Sequence, residues 1–241
     1  MFNARLANHL FTIDNRYDYV ESLFDGYKVA SNSLAADNAL AASDKDLEYE
    51  ARGENGWQKA YLESLAIYRK ICEKLILDDV VLFHCSALMI DGGAVLFTAP
   101  SGTGKSTHAR LWREHFGTKV TMVNDDKPLL HIGNSCVTVY GTPYGGKDNI
   151  QNNISAPVKA IFLLEQSAEN FVERMSSKEA LPHLLKQTYK VHEHTTLNVA
   201  QVCSRTLDLV LELSKLPVFR LGCNMTEQAV LTSYGAAKDF L

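Results

Sequence analysis

The residues best suited to chemistry are the nine that run Ala99-Pro100-Ser101-Gly102-Thr103-Gly104-Lys105-Ser106-Thr107. They fit the pattern G-x-x-x-x-G-K-[ST], with Ala99 in place of the leading glycine. Gly102 and Gly104 allow the backbone to turn and approach phosphate oxygens without a Cβ in the way. Successive N–H groups from Ser101 to Thr107 then form an anion nest at the positive end of the following helix. Lys105 adds a full positive charge, and the Ser106 hydroxyl can ligate Mg2+. A glycine-rich turn that merely happens to precede a helix is the simpler alternative. Average residue usage gives that loose pattern roughly a 2% chance in such a chain, and an apolar run before it with a helical pattern after it supply the context the motif requires.

Three further groups stand at suggestive spacings. Asn124-Asp125-Asp126 follows the apolar run Val120–Val123, with the two carboxylates 20 and 21 residues after Lys105. Adjacent aspartates at a strand end are usually a solvated turn, but beside a phosphate loop they can hold Mg2+ and accept a proton. Side chains of neighbouring residues there point to different sides, which predicts divided roles, one on the metal and the other as proton acceptor. Sequence does not decide which is which, and the working assignment is Asp125 on the metal and Asp126 as acceptor. His84 precedes Lys105 by 21 residues; a lone histidine is more often structural than catalytic. Cys85 and Ser86 beside it lack the surroundings of an acyl-transfer nucleophile. The third group, Gly141-Thr142-Pro143-Tyr144-Gly145-Gly146-Lys147, combines backbone freedom with a cation, so Gly145, Gly146 and Lys147 are candidates for the acceptor side of a site. His192-Glu193-His194 resembles a metal clip but reads as a surface turn.

The elements that must position these groups alternate between strand and helix, which predicts an α/β fold. Trp57–Leu77 carries apolar residues at helical spacing. Strands are expected at Val80–His84, Ala87–Ile90 and Ala94–Thr98, the last two joined by Asp91-Gly92-Gly93, a hairpin signal. Lys105–Phe116 reads as a helix closed by Gly117. Strands at Lys119–Val123, Leu129–Ile132, Cys136–Tyr140 and Val158–Leu164 follow. Helices at Ser177–Tyr189 and Thr195–Leu213, a strand at Val218–Leu221 and a helix at Thr226–Ala237 complete the chain. The first 56 residues are poorly periodic apart from a possible strand at His9–Ile13. Gly53-Glu54-Asn55-Gly56 is a turn cluster, which predicts an acidic accessory segment over 1–56 and a compact domain carrying the phosphate loop over 57–241.

Composition narrows the classes. With 46% apolar and 22% charged residues, the 241-residue chain is that of a soluble globular protein with a sizeable core. Its 14 Gly, 6 Pro and 5 Cys exclude collagen, low-complexity disorder and disulfide scaffolds. A net charge of −4 argues against nucleic acid as a partner. Residues 1–56 hold 5 Lys/Arg against 10 Asp/Glu, so the charge is concentrated in the first segment. There is no leader-like apolar run, and no stretch is apolar for the length a membrane span needs. Five widely spaced cysteines, an odd number, predict a reducing cytoplasm with the thiols as small buried hydrophobes.

The ordered set of His84, the loop Ser101–Thr107 and the pair Asp125-Asp126 resembles that of HPr kinase/phosphorylase, over about residues 80–130. It is also similar to the nucleotide half of ATP-dependent phosphoenolpyruvate carboxykinase. The resemblance implies a P-loop core with a mixed sheet flanked by helices. It implies ATP and Mg2+ as cofactors and an unidentified hydroxyl acceptor as the second partner. A homo-oligomer is implied as well. In that frame His84 matches an active-site histidine, Gly102–Ser106 a phosphate cradle, and the Asp pair the proton acceptor and metal-side carboxylate. The sequence departs where a further acidic ligand would follow: no Glu occurs between Glu114 and Glu165. The leading expectation is an ATP-dependent kinase. A nucleotide-binding switch with slow hydrolysis and a carboxykinase-like lyase are the alternatives.

Overall fold

A computed structural model describes residues 1–30, 39–134, 136–191, 195 and 197–241. The sequence reading of 31–38 and of His192-Glu193-His194 falls outside the described residues. The chain divides into two compact units, Met1–Asp78 and Asp79–Leu241.

In the first unit, β1 (Phe2–Leu6) and β2 (His9–Asp14) form an antiparallel pair, and β3 (Leu40–Ala41) adds to β2 in parallel. Helices α1 (Asp18–Leu23), α2 (Asp44–Ala51) and α3 (Lys59–Ile76) complete it. A capping box starts α2, with Ser43 accepting from Asp46 N–H and Asp46 accepting from Ser43 N–H. Arg69 on α3 pairs with Asp46 and Glu50 of α2 and with Glu73, all of them largely buried. These contacts tie α3 to the segment before it, and the Gly53–Gly56 turn lies inside the unit Met1–Asp78. Of these elements, sequence periodicity marked β2 and α3 and passed over β1, α1 and α2.

The second unit is built on a nine-stranded mixed sheet. Its strands are β4 (Val80–Leu82), β5 (Ser86–Ile90), β6 (Gly93–Thr98), β7 (Val120–Asn124), β8 (Leu129–Ile132), β9 (Val137–Tyr140), β10 (Ser155–Gln166), β11 (Phe171–Arg174) and β12 (Val218–Cys223). Its helices are α4 (Lys105–Phe116), α5 (Ser177–Gln187), α6 (Val199–Leu213) and α7 (Glu227–Ala237). The hairpin β5–β6 turns through Asp91 and Gly92, both at positive φ, as a tight primed turn requires. The expected strand Val80–His84 ends at Leu82, because β4 leaves to pair with β8. Strand β7 does not lie beside β6: β5 separates them and is antiparallel to both. Helix α6 starts at Val199, not Thr195, since the Asn198 side chain caps it by accepting from Gln201 N–H. Helix α5 stops at Gln187, and Thr188 instead forms a bridge with Phe83.

The core lies between this sheet and α4 and α7. Phe97, Phe162 and Phe219 occupy paired positions on β6, β10 and β12, with ring centroids 5.4 and 5.2 Å apart. Trp112 of α4 packs on Phe97, and its indole N–H donates to the Ser233 hydroxyl on α7. Burial of such rings supplies most of the driving force for docking the helices. All five cysteines are free; Cys72 and Cys85 are buried, whereas Cys136 and Cys203 are exposed, so the expectation of buried thiols holds only for the first two. Among the described residues no helix is long and apolar enough to cross a membrane.

Candidate active site

The sheet order explains why residues far apart in sequence meet. Strands β6 and β7 run parallel to each other, and β5 runs against both. The C-terminal ends of β6 and β7 therefore flank the N-terminal end of β5 on one rim. The phosphate loop leaves β6 there, the Asp pair leaves β7, and His84 enters β5.

The loop has the geometry its glycines allow. Gly102 and Gly104 adopt φ of +81° and +118°, a region that β-carbons disfavour. Gly104 is the N-cap of α4, and no side chain caps that helix. Its first-turn N–H groups are therefore oriented outward as an anion site of the kind helix N-termini provide. Thr103 closes the turn, its hydroxyl donating to Pro100 O at 2.9 Å. Lys105 is 8% exposed, and its ammonium donates to Ala99 O at 2.8 Å. Burial lowers its pKa, against the opposing charge of Asp126. Ser101 and Ser106 are exposed on the same loop, and Thr107 is half-buried.

The two aspartates diverge. Asp126 accepts from His84 Nε2 at 2.9 Å. Burial would raise its carboxyl, but the His84 hydrogen bond, Lys127 and Lys105 outweigh that and hold it below the ordinary range. Asp125 is 4% exposed, and its carboxylate accepts from Gly146 N–H at 2.7 Å. Burial raises its pKa, only partly offset by that N–H. A Cβ on Gly146 would lie 2.7 Å from Asp125 Oδ2, and one on Gly145 would lie 2.8 Å from Oδ1. The loop after β9 thus approaches Asp125 through its backbone, while Lys147 is exposed.

Four residues to which the sequence reading gave no role at the site hold this rim together. Asn124 accepts from the N–H groups of Asp126 and Lys127, and its amide donates to Thr142 and Tyr144. Asparagine directly before the Asp pair carried a signal for such a turn. Thr98 donates to His84 O at 2.7 Å, and Ser86 to Asp125 O at 3.2 Å. Gln187, at the end of α5, lies 3.2 Å from His84 Nδ1 through its side chain, and its carbonyl accepts from His84 N–H. That partner is 103 residues away, with no local pattern to announce it. Beside His84, Cys85 is buried and its thiol is pushed up by burial, which opposes a nucleophilic role.

The oxygens of Ser106, Asp125 and Asp126 are hard donors of the type Mg2+ takes. Among the described residues no cluster of three His, Cys, Asp or Glu is arranged to hold a metal alone.

On the far side of the loop from the Asp pair lies a cleft of about 500 Å³. Gly102–Gly104, Leu111, Gln166–Ala168 and Cys223–Met225 are among its lining residues.

No family model matches the chain, and no curated protein matches it. A solved structure that it is similar to is the Hpr(Ser) kinase/phosphatase from Coxiella burnetii, at 11% identity and a TM-score of 0.38, over 66% of this chain and 97% of that one.

Proposed function

We propose that the protein is an ATP-dependent kinase, assisted by Mg2+, that transfers a γ-phosphoryl group to a hydroxyl acceptor. The observation that carries this reading is the convergence of an uncapped, glycine-bounded helix N-terminus, a buried lysine and a His–Asp pair on one sheet rim. The N–H groups of Ser101, Gly102 and Gly104–Thr107 receive the phosphates, the Thr103 N–H being engaged with Pro100 O, and Lys105 neutralises charge that builds on them in transfer. Asp126, ionised at neutral pH and oriented by His84, accepts the proton of the acceptor hydroxyl as its oxygen bonds to the γ-phosphorus. The bond from that phosphorus to the β–γ bridging oxygen breaks, and ADP leaves. Ser106 and Asp125 would hold Mg2+, which when bound draws charge from the phosphate oxygens and keeps Asp125 ionised despite its burial. Gly145, Gly146 and Lys147 border the acceptor side.

The test is turnover of labelled ATP against a panel of amino acids, sugars and small proteins. A stimulating hydroxyl compound supports the reading, and Lys105→Met is expected to lower that turnover about 100-fold or more. Near-normal turnover in the variant would overturn the phosphate-site assignment.

A further inference from the structure

Gln187, the last residue of α5, makes two contacts with His84 that serve different ends. Its carbonyl accepts from His84 N–H at 2.8 Å. That bond satisfies one of the carbonyls a helix C-terminus leaves open, and any residue at this position could make it. The side chain is specific to glutamine. Its Oε1 lies 3.2 Å from His84 Nδ1, and the amide has no other hydrogen-bond partner among the described residues. The helix end does not need it, because Thr188 closes α5 with its own N–H and hydroxyl, which donate to Leu184 O at 3.1 and 2.9 Å.

The main chain of His84 is held on both sides, by Gln187 O and by the Thr98 hydroxyl, which donates to His84 O at 2.7 Å. Its imidazole is hydrogen-bonded at both nitrogens, to Asp126 Oδ1 from Nε2 and to Gln187 at Nδ1. Turning the ring over about the Cβ–Cγ bond would put carbon where each nitrogen stands. With two anchors that turn breaks two hydrogen bonds instead of one. The side chain is 33% exposed, so water competes for Nδ1 wherever no protein group holds it. An amide suits the task because it has an acceptor end and a donor end. Turned one way it accepts from Nδ1–H, turned the other it donates to a bare Nδ1, and in both cases Nε2–H stays on Asp126. With Oδ1 so occupied, Oδ2, which has Lys127 Nζ at 3.7 Å, is the oxygen left to meet an acceptor hydroxyl.

We infer that Gln187 is a positioning residue: acting through His84, it fixes which oxygen of Asp126 faces the acceptor, and so ties the end of α5 to the reacting rim. The role in transfer rests on the kinase reading, whereas the hold on the ring does not.

Two variants of the intact chain test it, and both leave the main-chain bond in place. Gln187→Leu removes the amide, and Gln187→Glu keeps an oxygen within reach of Nδ1. In proton spectra of protein with 15N-labelled histidine, His84 is assigned by the signal lost in His84→Asn. Its Nε2 proton, held on Asp126, should give a downfield resonance in wild type and in Gln187→Glu. In Gln187→Leu it should broaden away by exchange with water. In ATP turnover, with water or a stimulating hydroxyl compound as acceptor, Gln187→Leu should lower kcat about tenfold or more and leave KM for ATP within about twofold. Gln187→Glu should stay within about threefold of wild type. In an Asp126→Asn background Gln187→Leu should add little, since it acts through that carboxylate. An unchanged Nε2 resonance and kcat in Gln187→Leu would overturn the positioning role, and so would a fall in kcat that is just as large in the Asp126→Asn background. If wild type turns over no ATP, the kinase reading fails, and the proton resonance alone still decides whether Gln187 holds the ring.

Discussion

At the scale of single residues, the two aspartates have similar positions in sequence and opposite environments. Asp126 is bound to His84 and kept ionised, whereas Asp125 is buried on Gly146 N–H with its pKa raised. Asp126→Asn is therefore expected to keep nucleotide affinity within a few-fold and lower phosphoryl transfer about 100-fold or more, because an amide cannot accept the proton. Asp125→Asn should instead weaken the dependence on Mg2+, read from turnover against metal concentration. Retention of a tenth of the activity by both variants would remove the general-base role. His108 offers a separate test in pH. Burial lowers its pKa to about 4, from an ordinary 6.5. The unfolded chain thus binds more protons between those values, and stability falls as pH drops from 6.5 towards 4, by about 3 kcal/mol from this group. Asp125, with its raised pKa, contributes the opposite slope near the acidic end. The measurement is accordingly a difference: urea unfolding of wild type and His108→Phe at several pH values, with the variant expected to show the shallower acid loss.

Among the elements, the turn after β9 is determined by close backbone packing rather than by its lysine. A Cβ at Gly141 would come within 1.8 Å of Asn152 O and 2.7 Å of Val123 O, both backbone atoms at the end of β7 and the approach to β10. Neither can give way without moving the strand that carries the Asp pair. Gly141→Ala should cost about 3 kcal/mol or more. Thermal unfolding measures that cost, and a melting temperature equal to wild type would show that the turn relaxes freely. The same packing explains why the sequence showed the segment to be unusual without showing how it acts. Three glycines suggested freedom, while the structure uses all three for close approach, Gly141 to β7 and Gly145 and Gly146 to Asp125.

For the molecule as a whole, the division after Asp78 places α3 with the N-terminal elements. Arg69 holds that unit's helices by pairing with Asp46, Glu50 and Glu73 at side-chain exposures of 15% or less. Burial would lower the guanidinium pKa, but hydrogen bonds to Glu50 and Asp46 more than compensate, and the charge is retained. Arg69→Met would remove the cation shared by three crowded carboxylates, leaving Asp46 its ion pair with Lys70, an expected cost of about 3–5 kcal/mol. Hydrogen exchange along α3 would report it as lost protection, and unchanged protection would mean that the carboxylates find other partners or protons. The acidic composition of residues 1–56 is thus partly an internal ion-pair design, not only a solvated surface.

By itself, the sequence determined the features set by local physics. Hydrophobic periodicity located α3, α4 and most strands of the second unit within a few residues, and Asp91-Gly92 and Gly117 located a hairpin and a helix end. The phosphate loop was legible because its glycines, lysine and following helix are contiguous, so short-range geometry suffices. Short elements such as α1, α2 and β11 were not, since too few residues carry the period. Only the tertiary structure decided which groups meet. Inserting β5 between β6 and β7 is a matter of long-range pairing, and it brings His84 to Asp126. Gln187 on His84 and Gly146 on Asp125 follow from the same topology, as does the cleft between α4 and the ends of β10 and β12. Such contacts depend on strand order and helix docking, which free energy summed over the whole core selects and no local pattern encodes.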